Sequence, residues 1–229
     1  MHRYFMAAVV ITAGLFSAGR TALAQDAAQP VYIVTYTEVA PSAAPEAKKL
    51  ILAYASEARK ASGAMQIDAL QRISDSHHFA LIEQWQSLDA KQAFAATDPA
   101  TRFRAALTPL QSAAYDERIH TALSVGPSMP PSGDPVMILT HVDVIPTQTE
   151  PGTAKVKSFV EEGRKARGNR RFDDLVQISR KNHFTVVESW DSLADKNAWI
   201  SSKTAAAFRQ ELQPMSGALY DERAFRLLR

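Results

Sequence analysis

The stretches HFALIEQWQSLDAKQAF (78–94) and HFTVVESWDSLADKNAW (183–199) are the same passage written twice, 105 residues apart. Sliding the chain by that interval lays Val31–Leu123 over Val136–Leu228 without a gap, and 33 of the 93 pairs are identical. AAYDERIHTAL (113–123) falls on ALYDERAFRLL (218–228) in the same register. A gapless repeat means that every connection kept its length, so the chain is expected to build one fold twice. Between the copies lies SVGPSMPPSGDP, Ser124 to Pro135, with four prolines. Proline removes donors and stiffens the backbone, which marks an extended linker able to reach roughly 36 Å.

Working outward from the repeat, each copy gives the same order of elements. VYIVTYTEV (31–39) and VMILTHVDV (136–144) are β-branched and aromatic, as strands prefer. Ala47, Leu50, Ile51, Tyr54, Ala58 and Ala61 then recur at helical spacing, with Pro45 and Pro151 near the helix starts. Gly63 and Gly168 occupy equivalent positions where a left-handed C-cap is expected. Two strands near 66–74 and 78–86 form a hairpin across a polar turn, followed by helices near 88–96 and 99–110 and a last strand on the YDER segment. The order β-α-β-β-α-β, with its second helix broken, is the ferredoxin-like arrangement: an antiparallel sheet with helices on one face. In HFALIEQW, Phe79, Leu81, Glu83 and Trp85 share one face, and Ala80 and Ile82 lie on the other, so neither face is purely polar. Two such sheets can bury their bare faces against each other. The expected fold is therefore α+β, with two tandem modules (25–123 and 136–229) closing a barrel within one monomeric chain.

The bulk numbers exclude several functions. No cysteine is present, which removes disulfides and thiolate chemistry. Arg3, the apolar run Met6–Gly19 and the small-residue site TALAQ read as an export signal, residues 1–24, cleaved after Ala24. That run of about 14 residues falls short of the roughly 20 that cross a bilayer. A periplasmic or secreted protein, free of the membrane once processed, is the expectation. Losing Arg3 and Arg20 with the signal leaves 24 basic and 24 acidic residues, which gives no footprint for nucleic acid. GxGxxG, GxxxxGK[ST], HExxH, GxSxG and EF-hand patterns are all missing.

HFALIEQWQSLDAKQAF resembles the antibiotic biosynthesis monooxygenase-like family, the dimeric α+β barrel oxygenases. Their signature is an apolar strand ending Glu-x-Trp, a polar turn, then a helix with Ala and a His nine residues after the Trp. The resemblance covers both copies, roughly 186 residues. It implies Trp85 and Trp190 as the family's strand Trp and Glu83 and Glu188 as its Glu. The chain departs at the helix His, where Phe94 and Trp199 stand, and its first strands carry Tyr36 and His141 in place of an Asn. Haem-degrading members use Asn, Trp and His together, so the resemblance points instead to oxygenation of a quinol or phenolic aromatic by O₂ without metal, flavin or other cofactor. In that reading Trp85/Trp190, Phe94/Trp199 and Phe103/Phe208 line the pocket, together with Tyr36. Glu83/Glu188 or His141 is the base, and Arg104/Arg209 stabilises charge. The alternative is a non-catalytic small-molecule-binding or stress-related protein that kept the barrel, which the missing helix His favours.

Two expectations concern ionic partners. A carboxylate on an apolar strand face needs a partner, and Arg104/Arg209 or Arg118/Arg223 are the candidates for Glu83/Glu188. Along the YDER strand, Tyr and Glu share one face and Asp and Arg the other. His78 and His183, read as lone histidines, are expected to make turn hydrogen bonds rather than to bind metal.

Overall fold

The structure, a computed structural model, describes residues 29–127, 129 and 135–229. The expected export signal and part of the proline linker lie outside them. The first module runs β1 Val31–Glu38, α1 Ala44–Ala58, β2 Ala64–Arg72, β3 His78–Trp85, α2 Leu88–Ala95, α3 Asp98–Leu107 and β4 Asp116–Ser124. The second repeats it as β5 Val136–Asp143, α4 Thr149–Gly163, β6 Asn169–Gln177, β7 His183–Trp190, α5 Leu193–Ile200, α6 Lys203–Leu212 and β8 Asp221–Leu227. Serine caps start the equivalent helices α2 and α5: Ser87 Oγ accepts from the Ala90 N–H and Ser192 Oγ from the Asp195 N–H, each at 3.1 Å.

The eight strands close one antiparallel barrel in the order β1-β3-β2-β8-β5-β7-β6-β4. Each module's last strand makes the junction. Leu70 pairs with Leu227 across β2–β8, and Ala122 pairs with Leu175 across β4–β6, the same register moved by one repeat. β4 runs through Ser124, the first residue of the segment read as linker. Leu228 buries itself in the helix-side core of the first module and Leu123 packs against that of the second, so each module completes the other.

The strand alternation decides where each core sits. Phe79, Leu81 and Trp85 face the first module's helices, while Ala80 and Ile82 face inward. The barrel interior buries Tyr32, Val34, Leu70, Ala80 and Ile82 from one module against Met137, Leu139, Leu175, Val187 and Phe225 from the other. At about 1.5–3 kcal/mol for each large apolar side chain removed from water, a single module would leave a costly bare face. Closure of the two copies on one another removes it.

Gly63 and Gly168 are left-handed, at φ +81° and +76°, but not as caps of α1 and α4. The helices stop at Ala58 and Gly163, and each glycine sits in the turn feeding the next strand. There its carbonyl accepts from the N–H of Gln86 or Asp191 at 2.8 Å, and a Cβ would meet Ala90 or Asp195 at 2.6 Å. Close approach to the start of α2 or α5 fixes these glycines as firmly as the turn does.

Candidate functional site

Under the helices of the first module, Glu83 is fully buried. Its carboxylate accepts from Tyr54 Oη at 3.0 Å and from Trp85 Nε1 at 2.8 Å. Neither Arg104 nor Arg118 pairs with it, contrary to the sequence expectation. Arg118 projects from the opposite face of β4 and holds Asp116, and Arg223 holds Asp221 in the same way. Arg104 lies over the Tyr115 ring, its guanidinium carbon 3.3 Å from the centroid. Burial pushes the Glu83 carboxyl up, against the pull of the Lys91 charge and its two donors.

Lys91 and Glu117 complete the site, and neither was singled out from the sequence. Lys91 belongs to α2 yet is buried, and its Nζ donates to Glu117 Oε2 at 2.9 Å. A cavity of about 290 Å³ opens between Tyr54, Lys91, Ala95, Ala100, Arg104, Tyr115 and Glu117. Arg104 Nη1 is shielded from water with no hydrogen-bond partner among the described residues. On the far side of Tyr54, between α1 and α3, a groove of about 450 Å³ is lined by Leu50, Ala53, Pro99, Phe103 and Ala106. The Tyr54 ring, stacked on Phe103 at 4.4 Å, is the wall the two spaces share.

The second module keeps Glu188, Trp190, Lys196, Arg209, Tyr220 and Glu222. Trp190 Nε1 donates to Glu188 Oε2 at 2.7 Å, and Lys196 bonds Glu222. Phe159 replaces Tyr54, so Glu188 loses the phenol donor. Burial lifts its carboxyl to about 8. Three larger side chains enter as well: Trp199 for Phe94, Ile200 for Ala95 and Phe172 for Ile67. Phe172 fits because Gly163 replaces Ala58, since a Cβ at 163 would come within 1.9 Å of the Phe172 ring. Phe159 stacks on Phe208 at 4.0 Å, and the groove between α4 and α6 is crossed by the Lys155–Glu211 ion pair.

The structure therefore brings Trp85, Glu83, Phe94, Phe103 and Arg104 together, and separately Trp190, Glu188, Trp199, Phe208 and Arg209. It does not bring Tyr36 or His141 to either group. Both point into the barrel, where their rings meet edge-on at 5.2 Å beside Arg118. Burial and that arginine hold His141 at about 3, far from the range of a general base at neutral pH. His78 is not a lone histidine either, with Glu38 Oε1 3.6 Å from its Nε2 and the His77 ring edge-on at 4.5 Å.

A closed barrel of two ferredoxin-like modules, each with a buried Glu-x-Trp under its helices, defines a dimeric α+β barrel protein fused into one chain. The model of the antibiotic biosynthesis monooxygenase family matches twice, at residues 30–106 and 135–211, and the chain belongs to that family. Comparison with curated proteins gives no match. Among solved structures, the chain is similar to a "putative monooxygenase" from Fusobacterium nucleatum (14% identity, TM-score 0.79, covering 88% of this chain and 94% of that one). A "putative monooxygenase" from Lactobacillus acidophilus is similar at 13% identity and TM-score 0.70, with 88% and 100% covered. An "anthrone oxidase-like protein" is similar at 12% identity and TM-score 0.71, with 88% and 92% covered. At these identities the likeness establishes the shared two-module fold.

Proposed function

We propose that the first module is the working site of a cofactor-independent monooxygenase for a quinol or phenolic aromatic, exported after loss of residues 1–24. The observation that carries this reading is the cavity beside Tyr54. It is walled by two phenol rings and an arginine stacked over one of them, and it holds a buried lysine bonded to a glutamate that faces solvent. Glu117 takes the phenolic proton of the substrate, with Lys91 holding its carboxylate in place. Arg104 stabilises the resulting phenolate and the charge that moves to oxygen, a role worth most where water is excluded. The phenolate gives one electron to O₂, and recombination forms a C–O bond at the ring. The ring hydrogen and the distal hydroxyl of the hydroperoxide then leave as water. For a quinol, one O₂ yields a hydroxyquinone and one water. Tyr54, Trp85 and Glu83 act as positioning residues: the buried carboxylate fixes the Tyr54 ring that forms the pocket wall.

Oxygen uptake by the purified protein tests the reading. With a quinol or anthrone and no added metal or flavin, consumption is expected well above the autoxidation blank and insensitive to chelators. Uptake no faster than the blank across a panel of quinols and polyphenols rejects catalysis and leaves the binding-protein reading.

A further inference from the structure

We propose that Glu38, His77 and His78 form a binding site for one divalent transition-metal ion of the zinc type, at the turn between β2 and β3. The one-letter sequence hides this cluster because Glu38 lies some forty positions from the histidines. The barrel brings them together: Glu38 is paired with His78 across β1 and β3, and the Val39 N–H donates to the His77 carbonyl at 3.1 Å. One ligand atom from each of the three lies within 4.8 Å of the others. His78 Nε2 and Glu38 Oε1 are 3.6 Å apart, too long for a hydrogen bond. It is close to the roughly 3.3–3.5 Å that separates two tetrahedral ligands, each about 2.0–2.2 Å from zinc. All three side chains are half-buried, so modest rotation closes the remaining distance. Two imidazoles with one carboxylate suit zinc, copper or nickel better than calcium or magnesium.

The surrounding charges permit the ion. Arg72 is the nearest cation, with Nη1 3.5 Å from His78 Nδ1, but its Nε lies 3.5 Å from Asp75, which offsets it. The second module supplies an internal contrast. There His183 Nδ1 contacts Asp143 at 2.9 Å, and Asn182, in the place of His77, donates its amide to the Val144 carbonyl at 2.6 Å. That turn is closed by protein groups. The first turn instead presents a second imidazole, and a bound ion would tie the end of β1 to the hairpin. The cluster sits at the opposite end of β3 from Trp85, roughly 23 Å along the strand, so the proposal stands apart from the oxygenase reading.

Calorimetric titration of the full chain with Zn²⁺ decides it. One equivalent is expected to bind to the unaltered protein and to His183→Asn. His77→Asn, which copies the second module, and Glu38→Gln are each expected to weaken binding by more than about tenfold, since losing even an outer partner of a metal ligand costs that much. Circular dichroism on the same samples checks that the variants are folded. No uptake by the unaltered protein, a smaller loss in H77N or E38Q, or an equal loss in H183N overturns the proposal.

Discussion

The two helix-covered pockets of this chain began as copies and have diverged in opposite directions. The first keeps a phenol on Glu83, a small Ala95 at the mouth and an apolar groove beside it. The second keeps the charged residues but carries the larger Phe159, Phe172, Trp199 and Ile200 in its core, and its groove of about 300 Å³ between α4 and α6 is crossed by an ion pair. The charged residues that survive in both are shared inheritance; the Tyr54 phenol and the size of the surrounding side chains are what set the two apart. One consequence is that a residue and its repeat partner provide matched controls in a single molecule.

Among the matched pairs beyond the base itself, the largest expected effect separates Arg104 from Arg209. Replacing Arg104 with Met removes the guanidinium that lines the open pocket and should lower turnover by about 10²–10³, the usual cost of one charge-stabilising donor. Arg209→Met should leave turnover within about twofold, because Ile200 in place of Ala95 and Trp199 in place of Phe94 leave less room for a substrate beside it. Steady-state oxygen uptake measures both, and equal losses would erase the distinction between the pockets.

A second effect is a pH dependence of stability. Glu188 is held near 8 in the folded chain, against 4.5 for an ordinary glutamate. Between these values the folded protein keeps a proton that the unfolded chain has released, so this group's contribution to stability is present below about 4.5 and is lost as pH rises towards 8. Asp174, buried and also near 8, adds a slope of the same sign. Glu188→Gln stays neutral throughout, so its stability relative to the unaltered protein should climb across that window by a few kcal/mol, at about 1.4 kcal/mol per unit. Urea unfolding at several pH values reads this gap, and a constant gap would contradict the burial of an ionisable Glu188.

The smallest effect tests the repacking. Gly163→Ala copies Ala58 of the first module but drives a methyl into the Phe172 ring, and should cost about 1–3 kcal/mol. Adding Phe172→Ile, the residue of the first module, should recover most of it. Thermal unfolding of the single and double variants shows whether the two changes are coupled.

Much of this was legible in the sequence because it depends on spacing. The repeat, the element order and the alternation of Phe79, Leu81 and Trp85 against Ala80 and Ile82 follow from periods of 2 and 3.6, and the closed barrel follows from two apolar sheet faces. The working parts of the pocket depend on distance across the fold. Lys91 lies unmarked in a short helix, and Glu117 appears only as one residue of the YDER strand. Tyr54 read as a core residue of α1, with no sign that its hydroxyl reaches β3. A signal was available: Lys91/Lys196 and Glu117/Glu222 are identities of the repeat at charged positions. His141 was misplaced for the opposite reason. Its difference from Tyr36 drew notice, but strand parity turns both into the barrel, away from Trp85 and Trp190.

The central claim is that one of two inherited pockets does the chemistry, with Glu117 as the base. Oxygen uptake by Glu117→Gln and Glu222→Gln, assayed on the same quinol, tests it most directly. The account predicts a loss of about 10²–10⁴ for Glu117→Gln, the range for removing a general base, and a rate within about twofold of the unaltered protein for Glu222→Gln. Equal losses in the two variants, or a Glu117→Gln protein that turns over normally, would contradict it.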